Sequence, residues 1–205
     1  MCIRDRCKSE DNTQVDEDGI ITGLQTKTLT HDNVNRNYLV YIPDSYDSEI
    51  DYPLMFVFHG FGGIATQFIN SADMRDLAES NNFIVVYPQG LDLGGTGSHW
   101  NCSNPSADNK SDVDDIGFIE NLIDQLIVDY PVIDSKRIYA AGYSNGGFMS
   151  YYLACNSKKF AAIGSVAGTM LDDSYQSCDA QLPTAMINIH GTDDFDVPYD
   201  GNIYY

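Results

Sequence analysis

Ser144 stands at the centre of Gly142-Tyr143-Ser144-Asn145-Gly146, a G-x-S-x-G run. A serine on a tight glycine turn is a candidate nucleophile for acyl transfer. The turn lifts its Oγ above the end of a strand and into the positive field at the start of a helix. With glycine and serine each near 7% of residues in ordinary proteins, the pattern arises by chance in about one chain of this length in ten to twenty. Its flanks strengthen it: the apolar "KRIYAAG" (136–142) reads as a buried strand, and Asn145 to about Cys155 as a helix. The competing reading is a plain strand–helix packing turn that needs small residues.

Two further stretches supply what such a serine would need. His59-Gly60-Phe61-Gly62-Gly63 follows an apolar strand. Acyl transfer places negative charge on the carbonyl oxygen, and two preorganised backbone N–H groups stabilise it. Asn145, next after the serine, is the candidate for one, and Phe61 in the glycine loop for the other. A glycine loop that merely covers the sheet is the simpler alternative. "NIHGTDDFDVPYDG" (188–201) is a strand ending in an acidic loop. A carboxylate there could orient the base that a serine requires, and Asp193, Asp194 and Asp196 are the candidates. A turn capped by one Asp is the plainer account.

These stretches must be held by a scaffold. "NRNYLVYIP" (35–43), "YPLMFVFHG" (52–60), "NNFIVVYPQG" (81–90), "FAAIGSVAG" (160–168) and "TAMINIHG" (184–191) join 136–142 as expected strands. Several are continuous apolar runs, as in strands buried on both faces. Helices are expected over Thr66–Ser80 and Asp114–Tyr130. In the latter, Ile119, Leu122, Ile123, Leu126 and Ile127 share one face. Apolar strands alternating with such helices predict an α/β fold, a mostly parallel sheet covered on both sides, with reactive groups at the carboxyl ends of the strands. Asp112, Asp114 and Asp115 crowd the start of the second helix, where capping and the helix dipole explain them. A metal site is the alternative, but no neighbouring His or Cys in the sequence completes a ligand set.

The 205 residues suit one domain. Residues 1–19 are polar and expected to be a disordered arm, with the domain over 20–205. The acidic balance, 30 Asp+Glu against 11 Lys+Arg with net charge −19, would repel a phosphate backbone, so nucleic acid is a poor partner. No apolar run reaches the ~18 residues of a membrane span, so no membrane association is expected. The N-terminal "MCIRDR" has no apolar core of a signal peptide, which points to a cytosolic protein or a lost or mis-called start. The five cysteines form no C-x-x-C pair. Pairing among Cys102, Cys155 and Cys178 would suit an exported protein, but the sequence leaves it unassigned.

Together, "YIPDSYD", "LMFVFHGFGG", "VDDIGFIENLIDQL", "KRIYAAGYSNGGFMSYYLAC" and "IHGTDDFDVPYDG" resemble secreted polyhydroxybutyrate depolymerase-like and feruloyl-esterase-like enzymes of the α/β-hydrolase fold. The resemblance covers about residues 36–201. It implies Ser144 as nucleophile, Phe61 as the loop donor, and, with Pro198 and Tyr199 in register, Asp194 as the acid. It also implies export, an acyl-enzyme, no metal or organic cofactor, and an ester substrate: a hydroxyalkanoate polyester, or a feruloyl or acetyl ester of plant polysaccharide. Tyr143 and Trp100 are candidates to line the acyl or sugar pocket, with a loop anchor as the second reading of Trp100.

The resemblance departs at the base. The fold runs Ser, Asp, His in chain order, and no histidine follows Asp194. Of the four present, His31 is read into the N-terminal arm, and His59 and His190 as structural strand ends. His99 is a remote candidate for the base. The expectation is therefore a fragment without the final strand, histidine loop and closing helix, with an unpaired sheet edge and poor turnover of p-nitrophenyl acetate. The other readings are a peptidase or thioesterase of the same fold, and a non-catalytic binding module on a hydrolase scaffold.

Overall fold

The computed structural model describes residues 19–92, 94–95, 97–103, 111–180 and 182–201. The expected arm therefore lies outside the described residues, save Gly19. A seven-stranded sheet runs in the order β1-β2-β4-β3-β7-β8-β9. Its strands are β1 (Gly23–His31), β2 (Val34–Ile42), β3 (Tyr52–Phe58), β4 (Ile84–Pro88), β7 (Ile133–Tyr143), β8 (Ala162–Val166) and β9 (Ala185–Ile189). The short hairpin β5 (Leu91–Asp92) and β6 (Ser98–His99) stands apart. From β4 through β3, β7, β8 and β9 every pairing is parallel, and β1 and β2 join antiparallel.

Alternation within the strands divides the core. Tyr38, Val40, Ile42, Leu54, Phe56 and Phe58 point to one face, against α3 (Asp115–Asp129) and α4 (Asn145–Asn156). Leu39, Tyr41, Val57, Val85 and Tyr87 point to the other, under α1 (Ala65–Phe68) and α2 (Arg75–Asn81). Helices thus cover both faces, as the apolar strands demand. In α3, Phe118, Ile119, Leu122, Ile123 and Leu126 are fully buried, while Ile127 is only partly so. Asp114 caps α3, its Oδ1 accepting the Gly117 N–H at 2.9 Å.

Several elements differ from the sequence reading. β1 is a full strand, so His31 ends a strand instead of lying in an arm. "GLQTKTLTH" hides there because an edge strand needs burial on one face only, and threonines fill the rest. The helix expected over Thr66–Ser80 is broken into α1 and α2. The Tyr87 hydroxyl, reaching up from β4, donates to Ala72 O at 2.7 Å and accepts from Met74 N at 3.0 Å. Asp73 then restarts the chain by accepting from Arg75 N at 3.1 Å. A short helix, α5 (Asp172–Ser177), was not foreseen. Behind it, Cys178 bonds Cys155, and Cys102 stays free and buried.

β9 is the sheet edge, and all five of its residues are exposed. Met186 and Ile187 point to opposite faces, and both are more than half exposed. No helix among the described residues is long and apolar enough to cross a membrane.

Candidate active site

The Ser144 turn is forced by close packing. α4 lies so tightly on β7 that a Cβ at Gly142 would run into the Gly146 carbonyl, and one at Gly146 into Phe58 O. Between these glycines Ser144 takes φ 51° and ψ −118°, a conformation that L side chains rarely adopt. Its N–H donates to Val166 O at 2.8 Å, which ties the turn to the end of β8. The residue is partly exposed.

The glycine loop lies beside it. A Cβ built on Gly60 would be 3.5 Å from Ser144 Cβ and 3.2 Å from Tyr143 Cδ1. Gly62 N–H is spent on Ser98 O (2.6 Å) and Gly63 N–H on Gly60 O (3.0 Å). His59 anchors this loop from below. It is fully buried, and its Nδ1 lies 2.8 Å from Gly60 O, which can only accept, so Nδ1 carries the proton. Nε2 in turn accepts from Gly90 N at 3.0 Å. Burial pushes the His59 pKa below its ordinary value, which keeps the ring neutral.

Asn145 is the first residue of α4, so its N–H has no carbonyl to reach within the helix. Its side chain grips the loop around Trp100. Oδ1 accepts Trp100 N–H at 2.7 Å, and Nδ2 donates to Trp100 O at 3.0 Å. Trp100 is 1% exposed, and its Nε1 donates to His59 O at 3.0 Å. Its ring therefore offers no face to a substrate, and the pocket-wall reading gives way to that of a loop anchor. Tyr143 and Phe61, by contrast, are about half exposed beside the serine. A 390 Å³ cleft opens between the glycine loop and the β5–β6 hairpin, lined by Gly62, Gln89 and Ser98, but not by Ser144 or Asp194.

The acidic loop follows β9. Tyr143, Val166 and Ile189 align across β7, β8 and β9, so Ser144 and the Asp194 loop leave the same end of the sheet, two strands apart. Asp194 Oδ1 accepts the N–H groups of Val197 (2.9 Å) and Asp196 (3.0 Å). These bonds, Val197 first, hold its pKa below the usual carboxylate value. Oδ2 lies 3.4 Å from His190 Nε2, which itself donates to Val197 O at 2.7 Å. His190 therefore locks the loop. The alternates Asp193 and Asp196 lie in the same loop, where Asp196 is held through its backbone N–H. His99 is buried in β6, with Nε2 3.1 Å from Ser111 Oγ and Nδ1 3.5 Å from Leu91 O, so it does not meet the serine. Of the acids read as capping or metal-binding, Asp115 is buried against Arg36, Asp112 is exposed and Asp114 caps α3.

The profile described as the prolyl oligopeptidase family matches residues 71–183, more than half of the chain. The chain belongs to the prolyl oligopeptidase family. Within this family's α/β-hydrolase fold, its sequence is also similar to enzymes named for esters. It is 31% identical over 180 residues to the probable feruloyl esterase C of Aspergillus niger, covering 84% of this chain and 60% of that one. The chain thus spans about three fifths of the length of that curated relative. Among solved structures, an acetyl xylan esterase from Aspergillus awamori superposes with TM-score 0.59 at 22% identity, over 72% of this chain and 53% of the other. An acylaminoacyl peptidase in complex with a chloromethyl ketone superposes with TM-score 0.64 at 15% identity, over 88% and 34%. Both structural likenesses bear on the fold.

The sequence reading missed the Asn145 side chain, the His190–Asp194 contact and the Arg36–Asp115 pair. The Asn145 and Arg36 links span 45 and 79 residues, and no local pattern announces them. His190 lies only four residues from Asp194, a spacing that was available.

Proposed function

We propose that this prolyl oligopeptidase family chain carries the nucleophile, oxyanion loop and acid of a serine esterase acting on feruloyl or related esters of plant cell-wall polysaccharide. The observation that carries the reading is Ser144 itself. Its hydroxyl sits in a strained backbone at the start of α4, with the Gly60 loop packed against it. In this reading Ser144 Oγ attacks the ester carbonyl. The oxygen that becomes negative is held by the N–H groups of Asn145 and Phe61, and collapse expels the alcohol to leave an acyl-serine. Water then cleaves the acyl-serine.

The proton of Oγ needs an imidazole. Adjacent strands are ~4.8 Å apart, so two spacings separate Ser144 from the strand bearing Asp194. A serine and an aspartate side chain narrow that gap to about one ring. In this reading Asp194 Oδ2 would orient that ring. The exposed faces of Tyr143 and Phe61 favour an aromatic acyl group, which would stack beside the serine. The Cys155–Cys178 disulfide supports an oxidising, extracellular setting.

The test is a substrate panel of methyl ferulate, acetylated xylan, a hydroxyalkanoate oligoester and an acyl-peptide anilide. It is run on the 205-residue chain and on a version extended by whatever codons follow Tyr205 in its gene. Turnover of methyl ferulate by the extended protein, lost by about a thousandfold or more in Ser144→Ala and Asp194→Asn, supports the proposal. Preference for the anilide supports a peptidase instead, the reading favoured by the family match. Binding without turnover in both versions supports a non-catalytic module.

A further inference from the structure

Far along the chain from Ser144, three ligand-type side chains meet where the β1–β2 hairpin touches the start of α3. His31 ends β1, Asp32 begins the tight turn to β2, and Asp114 caps α3. His31 Nε2 lies 3.4 Å from Asp114 Oδ2 and 3.6 Å from Asp32 Oδ2. All three ligand atoms fall within 4.8 Å of one another. The imidazole is 9% exposed, the Asp32 and Asp114 side chains 75% and 54%.

Both separations exceed an ordinary N–H···O hydrogen bond, and Nε2 is buried with no hydrogen-bond partner. A buried ring nitrogen 3.4–3.6 Å from two carboxylates calls for a partner, which a bound cation would supply. Zinc bonds to imidazole nitrogen and carboxylate oxygen at ~2.0–2.2 Å, which puts neighbouring ligands of a tetrahedron ~3.3–3.6 Å apart. Octahedral magnesium would need ~3.0 Å, and calcium prefers oxygen throughout. The local packing keeps the space clear: a Cβ at Gly117 would run into Asp114 Oδ2 and sit 3.0 Å from His31 Cε1. On the far side of the ring, the Asn121 amide lies 2.8 Å from Nδ1. A half-turn of that amide presents its oxygen to an Nδ1–H and leaves the Nε2 lone pair facing the acids.

We propose that His31, Asp32 and Asp114 bind one zinc-type divalent cation, with water completing a tetrahedron on the exposed side. The ion would staple the hairpin to α3 and takes no part in the serine chemistry.

The test titrates Zn²⁺ against a chromophoric chelator, using the full chain with Cys2→Ser and Cys7→Ser so that these thiols do not compete. One equivalent bound, a tetrahedral visible spectrum with Co²⁺, and a Tm raised by about 5 °C or more at a hundredfold excess over Kd are the expected results. His31→Gln and Asp114→Asn should each weaken binding by about tenfold or more. The second keeps the helix cap, since Asn caps as well as Asp. Zinc binding that is absent, or unchanged in both variants, overturns the proposal. So does a calcium response that ignores His31→Gln. So does a Tm that zinc leaves unchanged.

Discussion

The backbone of Ser144 carries a cost that its side chain does not repay in the resting fold. At φ 51° and ψ −118° a non-glycine residue stores about 1–3 kcal/mol of strain. Ser144→Gly should therefore stabilise the protein by about 1 kcal/mol in urea unfolding, whereas Ser144→Ala should not, because alanine keeps the Cβ. His59 makes a pH-dependent contribution. Burial holds it neutral in the fold, while in the unfolded chain it titrates near 6.5. Acid thus favours the unfolded chain. Stability from this group is complete above about pH 6.5 and is lost as the pH falls below it. Urea midpoints measured from about pH 8 down to about pH 5 should decline, and more shallowly in His59→Asn. At this scale the sequence disclosed residue types and the glycine turn. It did not disclose which way a ring or amide points: Trp100 was equally readable as pocket wall or anchor, and only its bond to His59 O decides.

Among the elements, α3 is tied to β2 by charge as well as by apolar packing. Arg36 and Asp115 are both about 1% exposed and paired at 2.5 Å. The guanidinium lies 4.0 Å from the centre of the Phe118 ring, and the other Asp115 oxygen accepts Asn101 N–H at 2.8 Å. Removing one partner leaves a buried charge, so Asp115→Ala should cost about 3–5 kcal/mol, read as a lowered urea midpoint. Replacing both partners with apolar residues of similar size should cost less. The apolar strands β3 and β4 were legible because burial on both faces leaves a nearly unbroken apolar run. β1 was not, because an edge strand shows only half a pattern. The break between α1 and α2 was hidden too, because the group that makes it, the Tyr87 hydroxyl, belongs to a different element.

For the molecule as a whole, the mostly parallel sheet covered on both sides followed from the alternation of strands and helices, whereas the order of its strands and the antiparallel pair β1 and β2 did not. The sheet edge at β9 has a dynamic consequence. Among the described residues β9 is held by β8 alone and all five of its residues are exposed, so it is the strand that opens at least cost in free energy. Its amide protons should exchange with deuterium well ahead of those in β3, which pairs on both sides; equal protection of the two strands would refute this. Asp194 rides on the segment that frays first. In the proposed mechanism the carboxylate serves Ser144 only in the fraction of molecules where that strand is closed, so whatever clamps β9 would also set how often the pair is in place.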